Sequence, residues 1–345
     1  MSMDITFLGT GSAYPSPTRG ASALVLRREG ECWLFDCGEG TQTQLMRSHL
    51  RAGRITKIFI THLHGDHFFG LPGLLCTLSL QSSPDPHKAP VDIYGPLGLH
   101  SFVRRSLELS HQCPAEEFKD FSSLDRDEVS PQGPPGRRIH LDPVEDCYSL
   151  VEEEQLVVKA FRLFHRVPSF GFVVEEKPRP GKLNVQKLKD LGVQPGPLYG
   201  KLTNGTAVVL ESGVTISPSD VVEDPIPGRK ICILGDCSGV VGDAAAKLCR
   251  QADVLIHEAT LDDSQEEKAR EHGHSTPKMA SALAKQCRAQ QLVLTHFSQR
   301  YKPAAQRGEG DTDVTELKRQ AEAGLGGQEV TLAEDFLTIE IPMKK

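Results

Sequence analysis

The sequence predicts an α/β fold in which a buried sheet delivers chemically active side chains to one edge. Three observations predict it. Five short apolar runs each lead into a histidine or an acid: 58–60 into His62, 157–164 into His165, 231–235 into Asp236, 254–256 into His257-Glu258, and 292–295 into His296. Helical patterns lie between such runs, as at 41–50 and 277–287. The first run opens onto Thr61-His62-Leu63-His64-Gly65-Asp66-His67, which packs three imidazoles and a carboxylate into six consecutive residues. Open α/β sheets place their sites beyond the carboxyl ends of the strands, so this repetition marks one functional edge. Strands commonly end in polar residues, but that habit does not account for His or Asp recurring here.

The bulk properties narrow the function classes. With 345 residues, 38% apolar and 25% charged, the chain has the material of a soluble globular protein, read here as one domain over 1–345. A formal net charge of −7 argues against coating nucleic acid by bulk electrostatics, while a local basic element could still grip a phosphate backbone. The start has no basic region before an apolar segment, and the longest apolar-rich stretch, 68–80, contains Pro72 and is too short to span a bilayer. Neither secretion nor membrane insertion is expected. Nine cysteines, an odd number with no C-x-x-C pair, fit a reduced compartment, cytoplasmic or nuclear.

Along the chain, Phe7-Leu8-Gly9-Thr10-Gly11 starts like a dinucleotide fingerprint, but Tyr14 stands where the third glycine should fall. A tight strand-to-loop turn at the site edge explains the two glycines. In the 61–67 cluster, neutral imidazole nitrogen and carboxylate oxygen suit zinc. His62 and His64 share a parity and can grip one ion; Gly65 then bends the backbone so that Asp66 and His67 point elsewhere, which suits two ions. Surface histidines ahead of a helix are the plain alternative. Stretches rich in Pro, Ser and Gly at 81–90, 130–136 and 224–228 read as surface connections.

Segment 177–205 differs from its surroundings. It carries Lys177, Arg179, Lys182, Lys187, Lys189 and Lys201 among many prolines and glycines, with apolar residues too sparse for a core element. It reads as a flexible basic arm inserted in the main domain, or else as a solvated loop with ordinary lysines. At 277–287, Thr276 is placed to cap a helix and Pro277 to fill its first turn, leaving His274 in the preceding loop. His257 reads as structural, Cys237 as a lesser candidate ligand, and His49, His87, His100, His111, His140 and His272 as solvent-exposed.

His62-x-His64-x-Asp66-His67 with isolated His165, Asp236 and His296 resembles the metallo-β-lactamase superfamily, whose fold is an αββα sandwich. Within it the chain is similar over nearly its whole length to the short-form ribonuclease Z family, which trims the 3′ ends of precursor tRNA. The residues that carry this are Phe7 to Gly11, Phe35-Asp36-Cys37-Gly38-Glu39-Gly40-Thr41, Phe164-His165 with Ser169-Phe170-Gly171, Gly235-Asp236, and Thr295-His296-Phe297-Ser298. The pair His257-Glu258-Ala259-Thr260 and His274-Ser275-Thr276 points to ribonuclease Z in particular.

The resemblance implies two Zn2+ ions per chain, one held by His62, His64 and His165, the other by Asp66, His67 and His296, with Asp236 bridging. Such ions lower the pKa of a water toward ~7 and steady the attacking and leaving oxygens of a phosphodiester. It further implies that Asp66 orients the nucleophile and that His274, held by Glu258, protonates the leaving 3′ oxygen. A helix-capping His274 and an ordinary strand-end Glu258 are the alternatives. In that family an arm with a Gly-Pro element holds tRNA, which makes Lys177, Arg179, Lys182, Lys187 and Lys189 candidate RNA contacts, and a homodimer presents the arm of one subunit to the site of the other.

Two departures stand out. The family's Pro-Ser-Lys-x-Arg-Asn loop appears as Pro15-Ser16-Pro17-Thr18-Arg19-Gly20, which keeps Arg19 as a substrate-binding candidate but lacks the Lys and Asn. Strand-forming residues common in the family are missing around His111-Gln112-Cys113, from which reduced stability is expected. The rival readings are a binuclear zinc hydrolase for a smaller substrate and a noncatalytic RNA-binding scaffold.

Overall fold

A computed structural model describes residues 2–81, 90–110, 117–121 (as backbone), 136–210, 212–306, 308, 310 and 312–344. The shortening near 111–113, and with it His87 and His111, lies outside the described residues.

Two eight-stranded mixed sheets face one another. Across the first the order is Thr338–Glu340, Met3–Gly9, Ala23–Arg28, Glu31–Phe35, Ile55–Phe59, Asp92–Gly95, Glu117–Phe121, Arg137–Ile139. Its strands are antiparallel as far as Glu31–Phe35 and parallel beyond. Across the second the order is Gly239–Val240, Leu156–Phe164, Ser169–Glu176, Lys230–Leu234, Val254–Glu258, Gln291–Thr295, Val330–Leu332, with Tyr148–Glu152 also pairing Leu156–Phe164. The apolar side chains of both sheets fill the space between them. Phe59 stacks between Phe35 and Tyr94 at 4.8 Å from each, while Phe172 of the opposite sheet meets it at 5.6 Å. Offset stacking with tilted contacts is the favoured packing of such rings.

Each sheet buries its outer face under helices. On the first, Ile58, Ile60 and Leu34 pack with Leu45, Leu74, Leu75, Val103 and Leu107 from helices Thr41–Arg47, Leu71–Gln81 and Leu99–Leu109. His100 is buried on the last of these helices, so the expectation that it faces solvent is corrected. On the second sheet, Leu255, Leu292 and Leu294 pack with Ala280, Leu283 and Leu317 from helices Pro277–Cys287 and Thr315–Gly324. Helix Pro277–Cys287 starts at the expected residue, but Thr276 makes no capping hydrogen bond. The result is the four-layer αββα sandwich. Among the described residues no helix is long and apolar enough to cross a membrane.

The segment between Glu176 and Lys230 is an insertion in the second sheet. It is longer than 177–205 and is not poor in core residues: Leu188, Val193, Leu202, Val208, Ile216 and Val221 bury one another. The apolar partners of its first half lie in the second half, beyond residue 205.

Candidate metal centre

The sequence reading expects one sheet to feed the site; in the structure both do. His62, His64, Asp66 and His67 follow strand Ile55–Phe59 of the first sheet, whereas His165, Asp236 and His296 follow Leu156–Phe164, Lys230–Leu234 and Gln291–Thr295 of the second. The sheets meet tightly here. Phe170 N–H donates to the Thr61 carbonyl at 3.0 Å, and a Cβ on Gly235 would lie 2.6 Å from that of Thr61.

The chain runs extended through His64 (φ −91°, ψ 145°) and then enters the one-turn helix Gly65–Phe68. That switch of conformation separates the two ligand pairs. Gly65 does not need a left-handed backbone; its missing side chain leaves room for the Phe69 ring, which would stand 2.4 Å from a Cβ. Gly9 works similarly, since a Cβ there would collide with the Ala21 carbonyl at 1.7 Å.

Each of four histidines has its Nδ1 held by the protein. His67 donates to Asp36 Oδ2 (2.7 Å), His165 to the Gly273 carbonyl (2.6 Å), His62 to Thr61 Oγ1 (2.9 Å) and His296 to Thr260 Oγ1 (2.9 Å). The two threonine hydroxyls can accept because each donates its own proton to a carboxylate, Thr61 to Asp36 and Thr260 to Glu258. This turns Nε2 of all four toward the centre, as a lone pair whenever the ring is neutral. His67 and His296 bring theirs to 3.2 Å, and His165 Nε2 lies 3.1 Å from His64 Nδ1. His62 Nε2 is buried without a hydrogen-bond partner.

Asp236 faces both groups. Its Oδ2 lies 3.6 Å from His62 Nε2, and its Oδ1 lies 3.3 Å from Nε2 of both His67 and His296. Side chains able to share a cation accordingly gather as His62, His64, His165 and Asp236, and as Asp66, His67 and His296. The residues fit zinc: two nitrogens at ~2.0–2.1 Å from one tetrahedral ion stand about 3.3 Å apart, close to the spacings seen.

Electrostatics agree with a cation site. Burial holds the His62 imidazole neutral, pushing its pKa well down, with His67 adding to the effect. Burial acts likewise on His165 and His64. His67 goes the other way: burial opposes its charge, but Asp236, Asp66 and Asp36 overcome it and raise its pKa strongly. Burial would also raise Asp66 and Asp236, yet both sit below the usual carboxylate range because of His67 and His296. Cys237 is no ligand here; burial raises its thiol pKa, and its nearest ring partner is His257 at 3.9 Å.

Beside the cluster, His274 Nδ1 donates to Glu258 Oε1 at 3.0 Å and lies 3.7 Å from Asp236 Oδ2. Burial would lower the His274 pKa, but Glu258 and then Asp236 raise it to about 9. Glu258 itself is saturated. It accepts from Cys237 N (2.9 Å), Ser275 N (3.0 Å), Thr260 and His274. Neither is a cap or a stray strand-end charge. Sequence reasoning missed Asp36, Thr61, Thr260 and the Gly273 carbonyl, the groups that fix the imidazole tautomers.

Arg19 is buried beside a cavity that Gln44, Arg47 and Asp335 also line. It is 2% exposed, donates from Nη1 to Thr10 Oγ1 (2.9 Å) and the Ala333 carbonyl (3.4 Å), and lies 4.8 Å over the Phe297 ring. It braces the loop behind His296. In the arm, Lys182, Lys187, Lys189 and Lys201 are exposed, whereas Lys177 pairs with Glu152 at 3.5 Å and Arg179 donates to the Lys344 carbonyl.

Comparison with known proteins bears on this constellation. The chain is 68% identical over 363 aligned positions to the human zinc phosphodiesterase ELAC protein 1, with all of both chains covered. It is 39% identical to ribonuclease Z of Picosynechococcus, covering 99% of this chain and 98% of that one. The chain belongs to the ribonuclease Z family. A crystal structure of human tRNase Z, short form, superposes with a TM-score of 0.69 at 53% identity, over 99% of this chain and all of that one. Residues 3–121 match the family described as anti-Pycsar protein Apyc1, and 207–297 the β-lactamase superfamily domain. Because 363 positions align against 345 residues, the human relative carries at least eighteen residues that this chain lacks.

Proposed function

We propose that this protein is a zinc-dependent endoribonuclease that removes 3′ trailers from precursor tRNA, using two zinc ions per chain. The observation that carries it is a complete set of inward-facing imidazole nitrogens and carboxylates with His274-Glu258 beside it. Asp236, with one oxygen toward each group, would be shared between the two ions. Bound zinc supplies an activated water and positive charge at the phosphodiester.

The chain's own residues do the rest. Asp66, whose Oδ2 accepts from Ala13 N at 2.8 Å, orients the attacking water. As water oxygen joins phosphorus, the bond from phosphorus to the 3′ oxygen breaks, leaving a tRNA 3′-hydroxyl and a trailer 5′-phosphate. The departing oxygen takes its proton from His274, whose Nδ1–H is engaged by Glu258 and whose Nε2 is therefore the donor. Exposed Lys182, Lys187, Lys189 and Lys201 grip the RNA backbone at a distance from the chemistry. A homodimer located in cytoplasm or nucleus completes the reading.

Incubating the purified protein with a 3′-extended precursor tRNA and mapping the ends tests it. A cut directly after the discriminator nucleotide is expected. No cleavage, with rapid turnover of a small ester or lactam, would move the assignment to a small-molecule hydrolase; less than one zinc per chain would favour a scaffold.

A further inference from the structure

We propose that the C-terminal segment 341–344 is a strut that sets the direction of the inserted arm, and that Arg179 and Arg229 are positioning residues acting through it. The inference rests on the arm being the RNA-gripping element.

The arm leaves the second sheet after Glu176 and returns at Lys230, and its two stems are laced together. Arg179 and Ile226 exchange both backbone hydrogen bonds at 2.9 Å, Glu223 N donates to the Lys182 carbonyl at 2.9 Å, and Asn184 N to that of Val221 at 2.7 Å. Close approach makes this possible. A Cβ on Gly181 would stand 1.9 Å from the Glu223 carbonyl, and one on Gly228 2.0 Å from that of Glu176. A stalk stitched this way moves as a unit, so its direction is decided where it joins the body.

At that junction Arg229 is 1% exposed and clasps Glu176 with two parallel bonds, Nε to Oε2 at 2.8 Å and Nη2 to Oε1 at 2.6 Å. This fork joins the outgoing stem to the returning one. Its remaining Nη1 donates to the Ile341 carbonyl at 3.0 Å. Three residues on, the Lys344 carbonyl accepts from Arg179 Nη2 at 2.7 Å. The segment is itself fixed to the body: Ile341 N donates to the Met3 carbonyl at 2.9 Å, and Lys344 Nζ lies 2.8 Å from Asp253 Oδ2, which also accepts from Lys230 N. The tail thus starts on the first sheet and ends against the second, touching the stalk at two guanidinium groups.

A fixed direction matters because the lysines on the arm and the scissile phosphodiester in the centre must engage one RNA at once. Binding at the second point is then intramolecular, with an effective concentration that falls as the first point wanders. Loosening the stalk weakens RNA binding and leaves the chemistry intact.

The test uses the zinc-loaded enzyme with residues 342–345 removed and Ile341 kept. KM for precursor tRNA should rise about tenfold, the scale of a lost charge-assisted hydrogen bond, while kcat and turnover of bis(p-nitrophenyl) phosphate are unchanged. Hydrogen exchange should quicken at amides of 178–183 and 222–228. Arg179→Ala in the full-length chain should raise KM comparably, and in the shortened chain add nothing. An equal cost in both backgrounds would make Arg179 a direct RNA contact and overturn its role here; a shortened chain with unchanged KM and exchange would overturn the strut. The triple variant Lys182→Ala, Lys187→Ala, Lys189→Ala separates the underlying reading. If it raises KM while the shortened chain does not, the strut alone fails; if it leaves KM unchanged, the arm does not bind RNA and the inference falls with it.

Discussion

Asp36 touches no candidate ligand atom that faces the centre, yet it decides which nitrogen His67 offers. Its carboxylate, on a backbone with φ of 58°, accepts from His67 Nδ1 and from both the amide and hydroxyl of Thr61. Asp36→Asn keeps the shape and removes one acceptor, so zinc affinity should fall about 10–100-fold, as for other outer partners of ligating histidines, in a folded chain. Competition with a chelating dye checks this, and unchanged affinity would count against it. His274 carries a pH prediction. Its pKa of about 9 means that the proton-donating form is present at neutral pH and is lost as pH rises. Cations beside Asp236 cancel part of the carboxylate field, so the alkaline fall in rate should begin below that value. His274→Ala should cut kcat on precursor tRNA by about 10²–10⁴-fold, retain zinc, and abolish that alkaline limb. The candidate ligands were legible in the sequence because a cation admits few residue types. Asp36, Thr61 and Thr260 were not, because any hydroxyl or carboxylate brought near by the fold can hold an Nδ1–H.

At the scale of elements, the strand ends and helix Pro277–Cys287 were readable from apolar runs with turn chemistry after them. The pairing of strands into two sheets was not readable from the runs themselves, since a run of Val, Ile and Leu is equally at home in either; it came only with the family resemblance. The arm was cut short for a related reason. Leu188 and Leu202 find their partners in Val208, Ile216 and Val221, so neither half alone carries the pattern of a core. Charge divides there too: basic residues dominate 177–205, whereas Asp220, Glu223 and Asp224 follow. The small core gives a local prediction. Leu202→Ala removes a fully buried side chain and should cost about 2–5 kcal/mol, felt within the arm. Proteolysis between 177 and 229 should accelerate while the melting of the sandwich is nearly unchanged. A large drop in the main melting transition would mean that arm and body unfold as one.

Across the whole molecule, the centre joins two sheets otherwise held by their apolar interface. Four candidate ligands follow the first sheet and three the second, so a bound cation ties the halves together in a way the unfolded chain cannot reproduce. Ligand binding to the native state alone stabilises by about 4 kcal/mol at a thousandfold excess over Kd, for each site. Removing zinc with a chelator should therefore lower Tm by roughly 10 °C, given about 2–4 °C per kcal/mol for somewhat smaller domains. The size of the drop should depend on pH. His67 has its pKa raised well above the ordinary histidine value by Asp236, Asp66 and Asp36, so in the zinc-free chain it holds a proton that an incoming cation must displace. Zinc binding consequently releases protons, and the stabilisation it adds shrinks as pH falls. Thermal scans with and without chelator at two pH values measure both effects. A gap in Tm that stays constant between them would show that zinc does not compete with a proton at His67, and the absence of any gap would show that the apolar interface alone holds the two sheets together at this edge.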